Sequence, residues 1–250
     1  MELYRETNII VPPDFSLTVV AQTDSTNTHL LRLAKEGAPN GQVLLSRTQS
    51  TGKGSRGRSF FSPEGGIYLS LLLRNVPADR LPLLTPMAAV ATYQALRPHV
   101  TETLDIKWVN DLYLAGKKVC GILCETAFLG EESATVIGIG INLLPPQGGF
   151  PDGFLHPATA LFSAPDPAAT EQMISSLLHR LYQFYQTRDF MQEYKAHCCT
   201  LGKSVTLRRG EEIVTGRAAD LSPMGGLILE LPDGSRAEFT SGEVTSQIEE

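Results

Sequence analysis

Residues 48–61 concentrate groups that proteins use to bind anions. The segment carries three glycines and three cations: Gly52, Gly54, Gly57, Lys53, Arg56 and Arg58. No hydrophobic period passes through residues 52–59, so they cannot form an ordinary core element. Glycine lets the backbone approach a ligand and point several N–H groups at one anion. Because guanidinium groups add paired donors suited to phosphate or carboxylate, the segment predicts an anion-binding loop.

Several common catalytic motifs do not explain this loop. The spacing of a Walker P-loop is absent, as are H-E-x-x-H and G-x-S-x-G. Residues 52–57 match G-x-G-x-x-G in letters, but Pro63 and an apolar strand follow where a dinucleotide site needs a helix. The available cations, amides and hydroxyls suit positioning and charge neutralisation, as in adenylyl or phosphoryl transfer, better than covalent catalysis.

The composition restricts the partners of this loop. Hydrophobic residues make up 42% and charged residues 19% of 250 residues, which is typical of a globular protein and excludes a disordered one. The formal net charge is −6. Nucleic-acid binders usually carry a basic field, so we expect the clustered cations to bind a small anion and not DNA or RNA.

The cysteines and the N-terminus indicate a reduced compartment. Cys120, Cys124, Cys198 and Cys199 form no C-x-x-C pair, and the five histidines are scattered, so we expect free thiols and no metal site. The first residues lack a signal-peptide core, and no apolar run approaches the length of a membrane span. The sequence therefore predicts a cytoplasmic protein without a membrane partner.

The first half of the chain places the loop between buried strands. Strands are predicted over residues 16–21, 42–48 and 67–73, and the loop connects the last two. A helix is expected from Ser25 or Thr26 to Gly37, and another over residues 83–97. Residues 25–27 are either a helix cap or a site for a polar small molecule at a strand–helix junction.

The second half predicts a hairpin, a glycine-rich strand and a small β-domain. Strands over 104–114 and 117–125 flank an Ala-Gly turn, and Gly121 lies inside the second strand, where a ligand or backbone comes close. Residues 135–143 form a further strand, whose glycines 138 and 140 indicate either tight packing or a ligand. Helices over 170–186 and 190–198 precede short strands with turn signals. We expect two domains, residues 1–200 and 201–250.

Five motifs in order give the chain a family resemblance over nearly its whole length. It resembles the biotin protein ligases, also called biotin–[acetyl-CoA-carboxylase] ligases. The motifs are Asp24-Ser-Thr-Asn27, Gln49-x-x-Gly52-Lys-Gly-Ser-Arg-Gly-Arg58, Lys107-Trp-Val-Asn-Asp-Leu112, Lys118-Val-Cys-Gly-Ile-Leu123 and Gly138-Ile-Gly-Ile-Asn142. The resemblance implies an α+β fold. Its parts are a mixed sheet with helices, like that of class II aminoacyl-tRNA synthetases, and a C-terminal SH3-like β-barrel.

The resemblance also implies a two-step reaction. Biotin and MgATP give biotinyl-5′-AMP and pyrophosphate, and a lysine of a biotin carboxyl carrier domain then takes the biotin and releases AMP. The catalytic residues implied are Lys118, Arg56 and Arg58. Those implied for biotin are Ser25, Thr26, Asn27, Gln49, Lys53, Gly54, Ser55, Lys118 and Gly121. Those implied for ATP and the adenylate are Arg56, Arg58, Phe60, Asn110, Asp111 and Asn142, and Mg²⁺ arrives with ATP.

Three positions depart from the family pattern. Val109 replaces the usual proline, and we expect a trans strand to accept it. Phe60 replaces a common tryptophan and keeps a stacking surface. Ser55 stands where many members carry arginine, so the adenylate should be held less firmly.

Alternatives and partners remain open. A lipoate ligase or octanoyltransferase shares the fold, but the Arg-Arg-x-x-Gly-Gly-Gly run of those families is absent. A non-catalytic sensor of biotin or the adenylate is the second alternative. Because the first catalytic strand begins near Ser16, we expect the monofunctional form without the winged helix-turn-helix that lets some members bind DNA. A homodimer through an exposed sheet edge is a further alternative.

Overall fold

A seven-stranded mixed sheet forms the larger part of the molecule. The computed structural model describes residues 3–153 and 157–246. The hydrogen-bonded order is β1-β2-β3-β7-β6-β5-β4, with β1 and β2 parallel and all other neighbours antiparallel. The strands are β1 Ser16–Thr23, β2 Gln42–Gln49, β3 Gly66–Arg74, β4 Leu104–Lys107, β5 Asp111–Leu114, β6 Lys117–Leu129 and β7 Glu132–Asn142.

The two faces of this sheet are covered differently. The helices are α1 Thr26–Lys35, α2 Leu84–Leu96, α3 Pro167–Thr187 and α4 Met191–Ala196. Ile137, Ile139 and Ile141 of β7 join the main core with α2 and α3, whereas Ala134 and Val136 lie under α1. Beyond α1, the same face continues with Gly138, Gly140 and Asn142. That end of the sheet is therefore left open.

Among the described residues, no helix is long and apolar enough to span a membrane.

A second, antiparallel sheet follows near the C-terminus. Its order is β11-β10-β9-β8-β12, with β8 Ser204–Arg209, β9 Glu212–Leu221, β10 Leu227–Glu230, β11 Arg236–Phe239 and β12 Glu243–Ser246. The α+β class with a small C-terminal β-unit is confirmed. The sheet is open, because β11 and β12 are its edges. The predicted boundary between the two domains, at residues 200 and 201, stays a prediction. The predicted domains also include residues 1–2, 154–156 and 247–250, which lie outside the described ranges.

The expected strand over residues 104–114 is wrong in its middle. Lys107 pairs with Asp111, so the three residues between them form the turn that separates β4 from β5. The peptide bond from Trp108 to Val109 is cis, which contradicts the expected trans strand. The hydrophobic pattern of the sequence concealed this turn, because Trp108 is apolar like a strand residue. In the structure Trp108 is buried, with only 3% of its surface exposed.

Trp108 joins the two sheets through a buried hydrogen bond. Its indole Nε1–H donates to the Gly225 carbonyl oxygen at 2.9 Å. Gly225 has a φ of +80°, and a Cβ there would lie 2.9 Å from Cγ of Pro86 in α2. The turn before β10 therefore packs on the larger unit, next to the β4–β5 turn.

We expect Trp108→Phe to lower the free energy of unfolding by about 1–3 kcal/mol, because the buried Gly225 carbonyl loses its donor. Urea unfolding followed by circular dichroism measures this change. Phe128→Leu, at a position 79% exposed, is the control and should shift the value by less than about 0.5 kcal/mol. Equal stability of Trp108→Phe and the parent chain would contradict a role for this bond in joining the sheets.

Candidate active site

An open cleft of about 1350 Å³, a volume that includes solvent at its mouth, lies over the uncovered end of the large sheet. The N-terminus of α1, residues 53–61, the β4–β5 turn and the start of β12 surround it. The predicted site residues in its wall are Thr26, Asn27, Gln49, Lys53, Gly54, Ser55, Arg56, Arg58, Phe60, Asn110, Asp111, Lys118, Gly121 and Asn142. The fold thus brings together residues that span more than a hundred positions of the chain.

Ser25 is the predicted residue that the described cleft wall does not include. It is 2% exposed, and its hydroxyl accepts a hydrogen bond from the Thr28 backbone N–H at 3.5 Å. Because this is the position and contact of a helix N-cap, the capping alternative accounts for Ser25. Its predicted contact with biotin stays a prediction.

The glycines of β6 and β7 make room for two side chains above the sheet. Gly121 pairs with Gly140, and Gly138 lies one alternation further along β7. A Cβ at Gly140 would lie 2.5 Å from Cε1 of Phe60, and one at Gly121 would lie 3.0 Å from its Cε2. A Cβ at Gly138 would lie 2.8 Å from Cγ of Asn27. The floor of the cleft therefore needs glycine at these positions so that Phe60 and Asn27 can rest on it.

Buried hydrogen bonds fix the polar groups at the start of α1. The Gln49 Oε1 atom accepts from the Thr26 backbone N–H at 2.8 Å, and the Gln49 amide nitrogen donates to Ser62 Oγ at 2.8 Å. Ser70 Oγ, on β3, lies 2.7 Å from both Thr26 Oγ1 and Asn27 Oδ1. These side chains hold one another in place, so this end of the cleft presents an ordered set of amides and hydroxyls.

The anion-binding loop is arranged as a short hydrogen-bonded hairpin. The Phe60 N–H donates to the Gly52 carbonyl at 2.8 Å, and the Gly54 N–H donates to the Arg58 carbonyl at 2.7 Å. At its tip, Arg56 and Gly57 both have positive φ, at +61° and +72°. Glycine at position 57 permits this tip, which turns the two arginines toward the C-terminal sheet.

Carboxylates from two different sheets pair with the cations of the loop. Arg58 Nη1 lies 2.7 Å from Glu243 Oε1, and Arg56 Nη1 lies 3.7 Å from Glu243 Oε2. Lys53 Nζ lies 3.4 Å from Glu125 Oε1 on β6. The loop is thus held from both sides, by β12 and by β6.

Lys118 lies at the centre of the cleft. Its Nζ is 2.7 Å from Asp111 Oδ1 and 5.9 Å from the ring centroid of Phe60. A second cation, Lys107, lies 5.4 Å from the ring centroid of Tyr113. Burial lowers the pKa of Lys107, while the nearby Asp111 carboxylate opposes that shift. Two lysines and one carboxylate therefore lie close together where β4, β5 and β6 meet.

Asn110 and Asn142 use their amide N–H groups to hold the cleft wall. Asn110 Nδ2 donates to the Ile122 carbonyl at 2.9 Å. Asn142 Nδ2 lies 3.1 Å from the Thr159 carbonyl and 3.4 Å from that of Lys118. Asn110 therefore ties the β4–β5 turn to β6, and Asn142 positions the backbone of Lys118; their predicted contacts with ATP stay predictions.

The sequence did not single out several residues that build the site. Ser70, Glu125 and Glu243 contact predicted residues, and the cleft wall also includes Tyr68, Phe150, Ala158, Gly242 and Val244. Lys107, Trp108 and Phe61 also lie in the wall; they belong to predicted segments but were given no role. A signal existed for Ser70, which interrupts an apolar strand. Glu125 and Glu243 gave none, because single acidic residues of this kind are ordinary in a sequence.

Family models and curated sequences both match this chain. Residues 19–142 match the Biotin/lipoate A/B protein ligase family, and residues 200–245 match the Biotin protein ligase C terminal domain. The Biotin--[acetyl-CoA-carboxylase] ligase of Paracoccus denitrificans is 32% identical over 86% of this chain and 95% of the relative. The Bifunctional ligase/repressor BirA of Bacillus subtilis is 32% identical over 87% of this chain and 70% of the relative.

A solved structure has a similar fold over nearly the whole chain. The biotin protein ligase from Aquifex aeolicus in complex with biotin and ATP superposes with a TM-score of 0.74 at 29% identity. The match covers 93% of this chain and 98% of that one. Both units described above are therefore present in a protein that binds biotin and ATP.

Proposed function

This chain belongs to the biotin protein ligase family, and we propose that the cleft between its two sheets carries out both steps of protein biotinylation. The enzyme forms biotinyl-5′-AMP from biotin and ATP and transfers the biotin to a lysine of a carrier protein. One observation carries the assignment of this cleft. A fixed set of amides and hydroxyls at Thr26, Asn27 and Gln49 faces a cationic centre at Lys118.

The first step needs positive charge at the α-phosphate. A carboxylate oxygen of biotin attacks that phosphorus, and the bond to the departing pyrophosphate breaks. Lys118 holds the carboxylate and offsets the negative charge on the oxygens of the α-phosphate, while Asp111 keeps its Nζ in place at 2.7 Å. Arg56 and Arg58 neutralise the outer phosphates, so they must exchange part of their contact with Glu243 for ATP.

The remaining polar and aromatic groups position ATP. Phe60 rests on the glycine floor and offers its ring to adenine, and Asn142 helps to shape that end of the cleft. MgATP is the substrate, and the oxygens of Asn110 and Asp111 are of the type that Mg²⁺ prefers. Lys53, Gly54 and Ser55 cover the biotin half of the cleft.

The second step transfers the acyl group. The neutral amine of the carrier lysine attacks the carbonyl carbon of the mixed anhydride, AMP leaves with the bonding electron pair, and the new amide loses a proton. The hairpin over the cleft limits the access of water to the anhydride before the carrier arrives. The acceptor is the biotin carboxyl carrier domain of a biotin-dependent carboxylase.

The proposed function carries two expectations about partners, one about DNA and one about a second copy of the chain. We expect no binding to DNA, and the net charge of −6 supports that expectation. A homodimer through an exposed sheet edge is consistent with the fold, because one side of β6 beyond Gly121 has no paired strand among the described residues. Gel-shift and sedimentation measurements test these two expectations.

Incorporation of labelled biotin into a purified carrier domain tests the function. We expect incorporation that requires ATP and stops when the acceptor lysine is replaced by arginine. Labelled lipoate or octanoate, offered in the same assay, should not be transferred. Transfer of lipoate in place of biotin would support a lipoate ligase, and tight biotin binding without transfer would support a sensor.

We expect Ser55 to make the enzyme release its adenylate more readily than a Ser55→Arg variant. Arginine at position 55 adds a cation beside the cleft, where an anionic phosphodiester is held, and one such contact changes retention by about 3- to 10-fold. Release of labelled biotinyl-5′-AMP in the absence of carrier measures this effect. Equal release by both forms would contradict a role for position 55 in retention.

A further inference from the structure

We propose that Glu125 is a positioning residue for biotin, because its carboxylate ties the loop that covers biotin to the start of α1, on the other side of the biotin half of the cleft. This inference rests on the proposed function of the cleft. Glu125 lies on β6, where its backbone pairs with Val136 of β7. Glu125 is not among the described residues that line the cleft, so it acts through the residues that it contacts.

Both oxygens of this carboxylate are used. Oε2 accepts a hydrogen bond from Asn27 Nδ2 at 2.9 Å, and Oε1 lies 3.4 Å from Lys53 Nζ. Asn27 belongs to the start of α1, whereas Lys53 belongs to the loop. One side chain therefore links the two segments that enclose the biotin half of the cleft.

The contact to Asn27 fixes which way its amide faces. Asn27 is 4% exposed, and its Oδ1 accepts a hydrogen bond from Ser70 while its Nδ2 donates to the Leu123 carbonyl and to Glu125. A flipped amide would turn Nδ2 away from these two acceptors and leave a buried donor poorly paired. Glu125 therefore helps to set the donor and acceptor pattern at the edge of the biotin site.

The contact to Lys53 fixes the near limb of the hairpin. Arg58 and Glu243 hold the far limb, so the hairpin has one acidic contact on each side. Side-chain exposure is 44% for Lys53 and 27% for Glu125, so the pair by itself contributes little to overall stability. Its consequence is local, because it decides how long the hairpin stays over the ligand.

A double-mutant cycle on biotin binding separates this role from a structural one. The variants are Glu125→Gln, Lys53→Met and the double variant, measured for the equilibrium constant and dissociation rate of biotin. We expect each single change to speed biotin dissociation by about 3- to 10-fold, and the double variant to be no faster than the faster single one. Thermal midpoints and the affinity for ATP should remain at the parent values.

A matched control removes an acid–base pair elsewhere on the same sheet. Glu132, on β7, pairs with Arg74 at 2.9 Å, and Glu132→Gln should leave biotin dissociation unchanged. Fully additive effects of Glu125→Gln and Lys53→Met, or unchanged dissociation in Glu125→Gln, would overturn the proposal. So would an equal effect of Glu132→Gln.

The binding readout also separates this proposal from the proposed function. A parent chain that binds biotin but does not biotinylate a carrier would contradict the function and leave the cycle measurable. A parent chain that binds no biotin would contradict both. Biotinylation with an additive cycle would retain the function and overturn the role of Glu125.

Discussion

Replacing Lys118 by alanine is expected to slow formation of biotinyl-5′-AMP by at least about 100-fold, the effect of removing one preorganised charge from a transition state. Lys118 Nζ lies between Asp111 and the ring of Phe60, at the centre of the cleft. Its loss removes the cation at the α-phosphate and leaves the Asp111 carboxylate without its ion-pair partner beside two anionic substrates. Single-turnover formation of labelled adenylate measures the change.

Lys117→Ala is the control for this prediction. Lys117 is the neighbouring, exposed lysine at the start of β6, so its removal changes the net charge equally but leaves the cleft intact. Adenylate formation by Lys117→Ala should stay within about twofold of the parent, as for a surface substitution. Full activity of Lys118→Ala would overturn the assignment of the catalytic centre.

The second large effect is expected from Gly138→Ala. The added Cβ would lie 2.8 Å from Cγ of Asn27 and still closer to its Oδ1, so Asn27 must move away from Ser70 and Glu125. Loss of these buried hydrogen bonds should raise the KM for biotin by about 10- to 100-fold. The KM for ATP should change much less, because Asn27 lies at the biotin end. Steady-state biotinylation of a carrier domain measures both constants.

Gly140→Ala supplies the comparison for Gly138→Ala. Its Cβ would lie 2.5 Å from Cε1 of Phe60, so it displaces the aromatic ring and leaves Asn27 in place. We expect this variant to raise the KM for ATP more than the KM for biotin. Equal effects of the two variants on both constants would contradict the separation of the cleft into a biotin end and an adenylate end.

Local sequence patterns predicted most of the helices and strands. These elements follow from the spacing of apolar residues and from the capping and turn residues at their ends. The strand over residues 67–73 is a continuous apolar run, and the structure extends it by one residue at each end, as β3. The helix after Ser25 begins with an N-cap at that residue. Such features depend on neighbours a few positions away, so the sequence alone determines them.

The β4–β5 turn and the acidic contacts could not be predicted in the same way. Trp108 has the apolar character of a strand residue, yet it lies in a turn, where its indole N–H donates to the Gly225 carbonyl before β10. Glu243 and Glu125 gain their importance from pairing with Arg58 and Lys53, which are 185 and 72 positions away. Contacts of this kind exist only after the sheets have formed.

The predicted site residues differ in their observed position: most line the cleft, whereas Ser25 caps a helix. Gly121 was expected near a ligand because it lies inside a strand, and Lys118 because of the family resemblance; both line the cleft. For Ser25, a polar residue at a strand–helix junction had two explanations, and the observed contact is the cap. Residue type alone could not separate these explanations, because a hydroxyl serves a backbone N–H and a ligand equally well.

Biotin-dependent exchange of labelled pyrophosphate into ATP, without any carrier protein, tests the central claim most directly. The claim is that this cleft activates biotin as an adenylate, and the exchange requires only that first step and its reversal. We predict exchange by the parent chain that requires biotin and falls at least about 100-fold in Lys118→Ala. Absence of biotin-dependent exchange in a folded parent chain, or equal exchange by Lys118→Ala, would contradict the account.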